Sequence, residues 1–172
     1  MTKEQYQELK DDYINYLKQV IRDFGSIDPM ITVFADQEGE EKPAVIHIPI
    51  PPSFMKDSNS KDEFVDNVIP ELFAEIKQKF NPIGVAWAAE AWVRSFSKDF
   101  QPNSDGKKEV VFISIDDKDG SSATVYNIIR NGKQVTAEGD LVDSIELQED
   151  EGLSGMGDVD GRFAHLFSKF DD

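Results

Sequence analysis

Two low-charge stretches between residues 82 and 115 constrain the fold more than any other part of this acidic chain. The first reads PIGVAWAAEAWVRSF and the second EVVFISI, and a polar loop containing QPNSDGKK separates them. Runs rich in β-forming residues that are bounded by turn signals predict two adjacent antiparallel strands at the centre of a sheet. Strand alternation then places one set of side chains on a common face: Gly84, Ala86, Ala88, Glu90, Trp92 and Arg94.

Two segments have the three- and four-residue apolar spacing of amphipathic helices. The first lies within residues 6–24, begins after a capping box of Thr2 and Gln5, and ends at Gly25. The second lies within residues 64–80 and follows a capping box of Ser60 with Glu63. Pro70 interrupts this second helix, which predicts a kink or two short helices.

Further strands complete the predicted sheet. MITVFAD and AVIHIPI form a hairpin. Because prolines follow the second strand, it lies at an edge or ends there, and His47 faces away from Ile46 and Ile48. The pair Asn131 and Gly132 predicts a type I′ turn between SSATVYNIIR and KQVTAE. An apolar stripe of Phe163, Leu166, Phe167 and Phe170 predicts a short C-terminal helix that docks onto the domain.

The predicted fold class is therefore α+β. Residues 1–172 form a single domain, with a mostly antiparallel sheet of five to six strands, two amphipathic helices packed on one face and the short C-terminal helix. Within it, residues 139–160 form an acidic, glycine-rich segment that we expect to be mobile.

The charge balance decides which partners can approach. With 34 acidic and 18 basic residues, the formal net charge is -16. Such a surface repels nucleic-acid phosphates and anionic lipid, so we expect no direct nucleic-acid binding, no membrane binding, and a protein partner with a basic surface. The chain has no cysteine and shows neither a secretory signal nor an apolar run long enough to span a membrane, which favours a cytoplasmic location.

No cofactor, metal or catalytic residue is predicted. The acidic patches at residues 116–120 and 156–161 each fail the EF-hand pattern at two ligand positions. His47 and His165 are the only histidines, and no nucleophile motif accompanies either of them.

The predicted partner-binding residues are Glu90, Trp92 and Arg94 on one strand face, with His47 beside them if the strands align. Tryptophan and arginine are enriched at the energetic centres of interfaces. The competing interpretation packs Trp92 under a helix, with Glu90 and Arg94 as an ion pair. The acidic loop adds three further candidates: Glu149, Asp150 and Glu151.

AWAAEAWVR, followed after the polar loop by KKEVVFISIDDKDG and a tyrosine-containing strand, resembles a pattern in small uncharacterised bacterial and phage proteins. The resemblance covers residues 82–132. It implies a bacterial or phage cytoplasmic context and carries no activity, cofactor or residue role.

Together these features predict a non-enzymatic acidic protein that binds another protein. In a phage context it acts on a host protein, and nucleic-acid mimicry is one version of that role. One alternative is a small hydrolase or metal-dependent enzyme that uses His47 and Glu90. Another is a virion or assembly component. The sequence does not define the oligomeric state.

Overall fold

The computed structural model describes residues 1–93, 108–152, 154 and 163–171. It confirms the α+β class, with one six-stranded antiparallel sheet and helices. The strands are β1 (Met30–Asp36), β2 (Ala44–Pro49), β3 (Asn81–Val93), β4 (Lys108–Asp117), β5 (Gly120–Val135) and β6 (Leu141–Glu149). The order across the sheet is β2-β1-β3-β4-β5-β6, which confirms β2 as an edge strand.

The first helix, α1 (Lys3–Phe24), begins and ends where the sequence predicts. Thr2 and Gln5 form both bonds of the capping box, and Gly25 ends the helix with a left-handed φ of 82°. The stripe that the helix buries consists of Tyr13, Leu17 and Ile21. Local chemistry at the two ends therefore fixes the length of α1.

The second helical segment contains the irregularity that Pro70 predicts. Helices α2 (Ser58–Glu63) and α3 (Ile69–Lys79) are joined by a π-helical turn, Phe64–Val68, in which the Ile69 amide donates to the Phe64 carbonyl. Proline has no amide hydrogen to donate, and the wider turn immediately precedes it. The N-cap is Asp57 rather than Ser60, and the Ser60 amide donates to its carboxylate at 2.8 Å.

The hairpin predicted at Asn131 and Gly132 is wrong. Strand β5 continues through both residues to Val135, and its register against β6 shifts between Arg130 and Lys133. Two residues there oppose one, so the pair forms a β-bulge, with Gly132 at a φ of 96°. The turn into β6 lies at residues 136–140 instead.

Contacts divide the chain into two compact units, and each contains part of the sheet. The first comprises Met1–Asp28, Ala89–Phe112 and Thr124–Ser154, and the second Pro29–Ala88, Ile113–Ala123 and Gly155–Asp172. In the first unit, α1 packs against β6. Among the described residues, no helix is long and apolar enough to span a membrane.

The second unit has an aromatic core between the sheet and helix α3. Phe73 stacks on Phe170 with ring centroids 4.1 Å apart, and Trp87 stacks on Phe163 at the same distance. The C-terminal 3-10 helix, Leu166–Phe170, supplies two buried side chains to this core, which confirms that the C-terminus docks. The aliphatic members of the buried cluster are Ile31, Val33, Ile50, Val65, Ile69, Val85 and Leu166.

Replacing Phe170 by alanine tests how much the C-terminal helix stabilises this core. Phe170→Ala removes a buried ring that stacks on Phe73, so we expect the free energy of unfolding to fall by about 3 kcal/mol. Denaturant unfolding followed by fluorescence measures it. The control Asp171→Ala changes an exposed neighbour and should shift the value by less than about 0.5 kcal/mol. Equal effects of the two changes would contradict the packing described.

Candidate functional site

Trp92 lies near the end of β3, and its side chain is 59% exposed. Its counterpart Trp87, five positions earlier on the other strand face, packs into the aromatic core. The structure therefore contradicts the interpretation that Trp92 is buried under a helix. Arg94, the third member of the predicted trio, lies outside the described residues.

Glu90 shares the face of Trp92 and is half-buried beside the end of α1. Its Oε1 accepts a hydrogen bond of 2.9 Å from the backbone amide of Ile27. Burial is the main cause that raises the pKa of Glu90, and the nearby carboxylates of Glu109 and Asp28 add to it, while the Ile27 amide and Arg130 act in the opposite direction. The charged form of Glu90 is therefore destabilised, two positions before the exposed Trp92 on the same strand face.

Arg130 compensates the neighbouring carboxylates. Its guanidinium binds both oxygens of Glu109, at 3.0 and 2.6 Å, and donates to Asp143 at 2.9 Å. It also donates to the carbonyl of Gly25, the residue that ends α1, at 3.0 Å. These hydrogen bonds, led by those to Glu109, raise the pKa of Arg130. Bidentate binding fixes the orientation of the guanidinium, so Arg130 links α1, β4, β5 and β6.

His47 lies on β2, where it is exposed and alternates with Ile46 and Ile48 as predicted. Its Nδ1 lies 2.9 Å from the hydroxyl of Thr32, a fully buried side chain on β1. Partial burial lowers the pKa of His47. The contacts of His47 and of Glu90 each serve the local structure, which gives no support to the two as a catalytic pair.

A serine, a histidine and an aspartate do meet elsewhere, and sequence reasoning missed them. The Ser121 hydroxyl lies 2.5 Å from Oδ1 of the buried Asp116 and 3.2 Å from Nδ1 of His165. The amide of Phe167 donates to the other oxygen of Asp116 at 2.7 Å. A hydroxyl has one proton, and the carboxylate accepts it, so His165 faces an oxygen that needs a donor rather than a base. The cluster therefore holds the C-terminal helix to the β4–β5 hairpin.

The three acidic loop candidates have different surroundings. Asp150 forms an ion pair with Lys108 and accepts from the amide nitrogen of Asn127 at 3.2 Å, so it stabilises the sheet. Glu149 is the last residue of β6, and Glu151 is exposed in the turn that follows. Of the segment predicted to be mobile, residues 141–149 form β6, and residues 153 and 155–160 lie outside the described part of the chain.

Comparison of the chain with protein-family models, with curated proteins and with solved structures finds no match to any of them. The resemblance of residues 82–132 to small bacterial and phage proteins stays a prediction. In the described ranges, no group of three or more histidine, aspartate or glutamate side chains is arranged to hold a metal ion.

The raised pKa of Glu90 predicts a pH-dependent effect of Glu90→Gln. A raised pKa means that the folded protein binds the proton of the Glu90 carboxyl group more tightly than the unfolded chain does. The stability contributed by the neutral Glu90 is therefore lost as pH rises through the raised pKa. Glutamine keeps an oxygen for the Ile27 amide and removes the charge. We expect Tm at pH 7.5 to rise by about 1–3 °C, with the difference disappearing near pH 4.

Thermal unfolding at both pH values measures the effect. Glu146→Gln is the matched control, because it removes the same charge from an exposed position on β6. An equal gain in both variants, or a gain for Glu90→Gln that persists at pH 4, would show that burial of Glu90 is not the cause.

Asp116→Asn tests the polar cluster. An asparagine offers one acceptor oxygen to the two donors from Ser121 and Phe167, so a buried group loses its partner and the free energy of unfolding should fall by about 1–3 kcal/mol. Asp119→Asn removes the same charge from the exposed turn of the same hairpin. Urea unfolding that finds equal stabilities for the two variants would contradict a structural role for Asp116.

Proposed function

We propose that this protein is a non-enzymatic, acidic protein-binding protein whose partner presents a basic surface. The observation that carries the proposal is the exposure of Trp92 at the end of β3, beside the half-buried carboxylate of Glu90. A large aromatic side chain that is left in water costs solvation free energy, and aromatic residues are enriched at the centres of interfaces.

Charge supports the choice of partner. The excess of carboxylates over basic residues gives a net charge of -16, which favours encounter with positive surfaces and disfavours phosphate backbones. In the first compact unit, two further aromatic side chains are exposed on α1, Tyr16 and Phe24. An exposed aromatic side chain on a protein of this net charge fits a basic protein partner better than a small polar substrate.

The resemblance to small bacterial and phage proteins gives this proposal a context, in which the chain acts on a host protein in the cytoplasm. Nucleic-acid mimicry is one version of that action. Competition with DNA or heparin separates nucleic-acid mimicry from an ordinary protein contact. If the protein is a mimic, DNA or heparin displaces it from the nucleic-acid site of the partner. If it binds another surface of the partner, the complex is unaffected.

Trp92→Ala tests the proposal with a pair of tryptophan variants. Immobilised wild-type protein is used to capture a partner from the native cell, the partner is identified and purified, and its affinity is measured by calorimetry at two salt concentrations. We expect Trp92→Ala to weaken binding about 30-fold, as for an interface centre, while Tm changes by less than about 1 °C.

Trp87→Ala is the matched control. It removes the same side chain from the stacked contact with Phe163, so Tm should fall by several degrees, on the order of 5 °C or more. A basic partner whose affinity weakens with salt and with Trp92→Ala supports the proposal. An acidic partner, or one that binds Trp92→Ala as tightly as wild type, overturns it.

A further inference from the structure

Strand β6 has a free edge. It is the last strand in the sheet order, and its inner side pairs with β5 from Tyr126↔Glu149 to Val135↔Leu141. Within residues 1–93, 108–152, 154 and 163–171, no further strand pairs with its outer side. The backbone amides and carbonyls along such an edge are a template for another extended chain.

The two edges of the sheet differ in how they are protected. Strand β2 at the other edge has six residues, includes Pro49, and lies between Pro43 and Pro51. Proline cannot donate to a ladder, so this edge resists the addition of a strand. Strand β6 has nine residues and contains no proline.

Helix α1 packs against β6 but lies over a face of the sheet. Lys18 Nζ sits 4.2 Å from the ring centroid of Tyr126, and the carbonyl of Gly25 accepts from Arg130. Tyr126 and Arg130 occupy alternate positions of β5, so their side chains share one face. These contacts place α1 over that face of the sheet.

The side chains along β6 determine which extended segments can pair with its edge. At the start of β6, Leu141 is 65% exposed and pairs with Val135, which is 69% exposed. The two residues form an exposed apolar cross-strand pair. Further along, Glu146 and Glu149 are exposed on opposite faces of the strand. No lysine or arginine occurs from residue 134 to residue 161.

This composition disfavours a second copy of the chain and favours a basic segment. Two acidic edges brought together place like charges side by side, which is destabilising, whereas opposite charges across a strand pair are favourable. Asp143, by contrast, already forms ion pairs with Arg130 and with Lys133. The Lys133 Nζ lies 2.5 Å from Oδ1 of Asp143, and this hydrogen bond is the main cause that lowers the pKa of Asp143.

We propose that β6 is a strand-addition site, at which an extended basic segment of a protein partner pairs its backbone with Leu141–Glu149 and sets lysine or arginine side chains against Glu146 and Glu149. The inference rests on the proposed function for the basic character of the partner, and it names the part of the partner that binds and how it binds.

A defined peptide tests the site without the natural partner. The probe is a nine-residue peptide that repeats lysine-valine-valine, so its lysines fall alternately on the two faces of an extended chain, as Glu146 and Glu149 do. Amide hydrogen exchange of the full chain is followed by mass spectrometry or NMR. We expect the peptide to slow exchange at least about fivefold in residues 141–149 and to leave residues 44–49 of β2 unchanged. The same peptide with N-methyl groups on two adjacent central residues keeps its charge but loses an amide donor on each edge, so it should give no protection.

The double variant Glu146→Lys with Glu149→Lys should weaken binding of the peptide about tenfold, measured by fluorescence anisotropy. The double variant Glu71→Lys with Glu75→Lys is the matched control, because it makes the same change in net charge at exposed positions of α3. Protection confined to residues 141–149, together with loss of binding in the β6 variant alone, supports strand addition. Protection elsewhere, equal binding of the N-methylated peptide, or equal weakening by both variants overturns it.

Failure of this inference and failure of the proposed function give different results. If the identified partner binds the β6 variant as tightly as wild type and still depends on Trp92, strand addition is wrong and the proposed function stands. If the peptide protects β6 but the partner ignores Trp92→Ala, the proposed function is wrong and the strand-addition site stands.

Discussion

With 34 acidic and 18 basic side chains, this chain cannot give each carboxylate a cation. The acids that approach the interior are therefore compensated individually, and by different groups. Glu109 and Asp143 share Arg130, Asp150 has Lys108, and Glu90 has the backbone amide of Ile27. A carboxylate out of water is tolerated only with such donors, and the elements that supply them become fixed to one another.

Arg130 is the clearest case within the first compact unit. A single guanidinium joins Glu109 on β4, Asp143 on β6 and the end of α1 at Gly25. Its planar fork meets the Glu109 carboxylate with two bonds, which an ammonium group cannot reproduce. Glu90 lies beside the same arrangement, where burial is the main cause that raises its pKa.

The features that the sequence predicts well are those with a short-range physical cause. The capping box at Thr2, the left-handed stop at Gly25 and the irregular turn before Pro70 all depend on residues within one or two turns. The pair Asn131 and Gly132 misleads because a positive φ at glycine serves a bulge as well as a hairpin turn, and pairing with β6 decides between them. Strand β6 is not predicted, because acidic side chains interrupt the weak alternation of its apolar residues.

The site was predictable only in part for the same reason. Alternation along β3 separates Trp87 from Trp92, but it does not say which face is covered. The contacts of Glu90 with Ile27 and of Ser121 with His165 join residues 63 and 44 positions apart, respectively. No local pattern encodes such pairs, because they depend on how the strands are ordered in the sheet.

The π-helical turn at Phe64–Val68 sets the phase of everything that follows it in that helix. In a regular α-helix each residue advances the side chains by about 100°, so one residue more or fewer rotates the next turns out of alignment. Phe64 and Ile69 are five positions apart, and both face the core. The wider turn thus acts as a spacer that keeps the aromatic side chains before and after Pro70 directed at the same sheet. Forcing these five residues into regular α-helical geometry would turn Phe73 away from Phe170, whereas deleting one residue of the turn would restore regular geometry with Phe73 still facing the core.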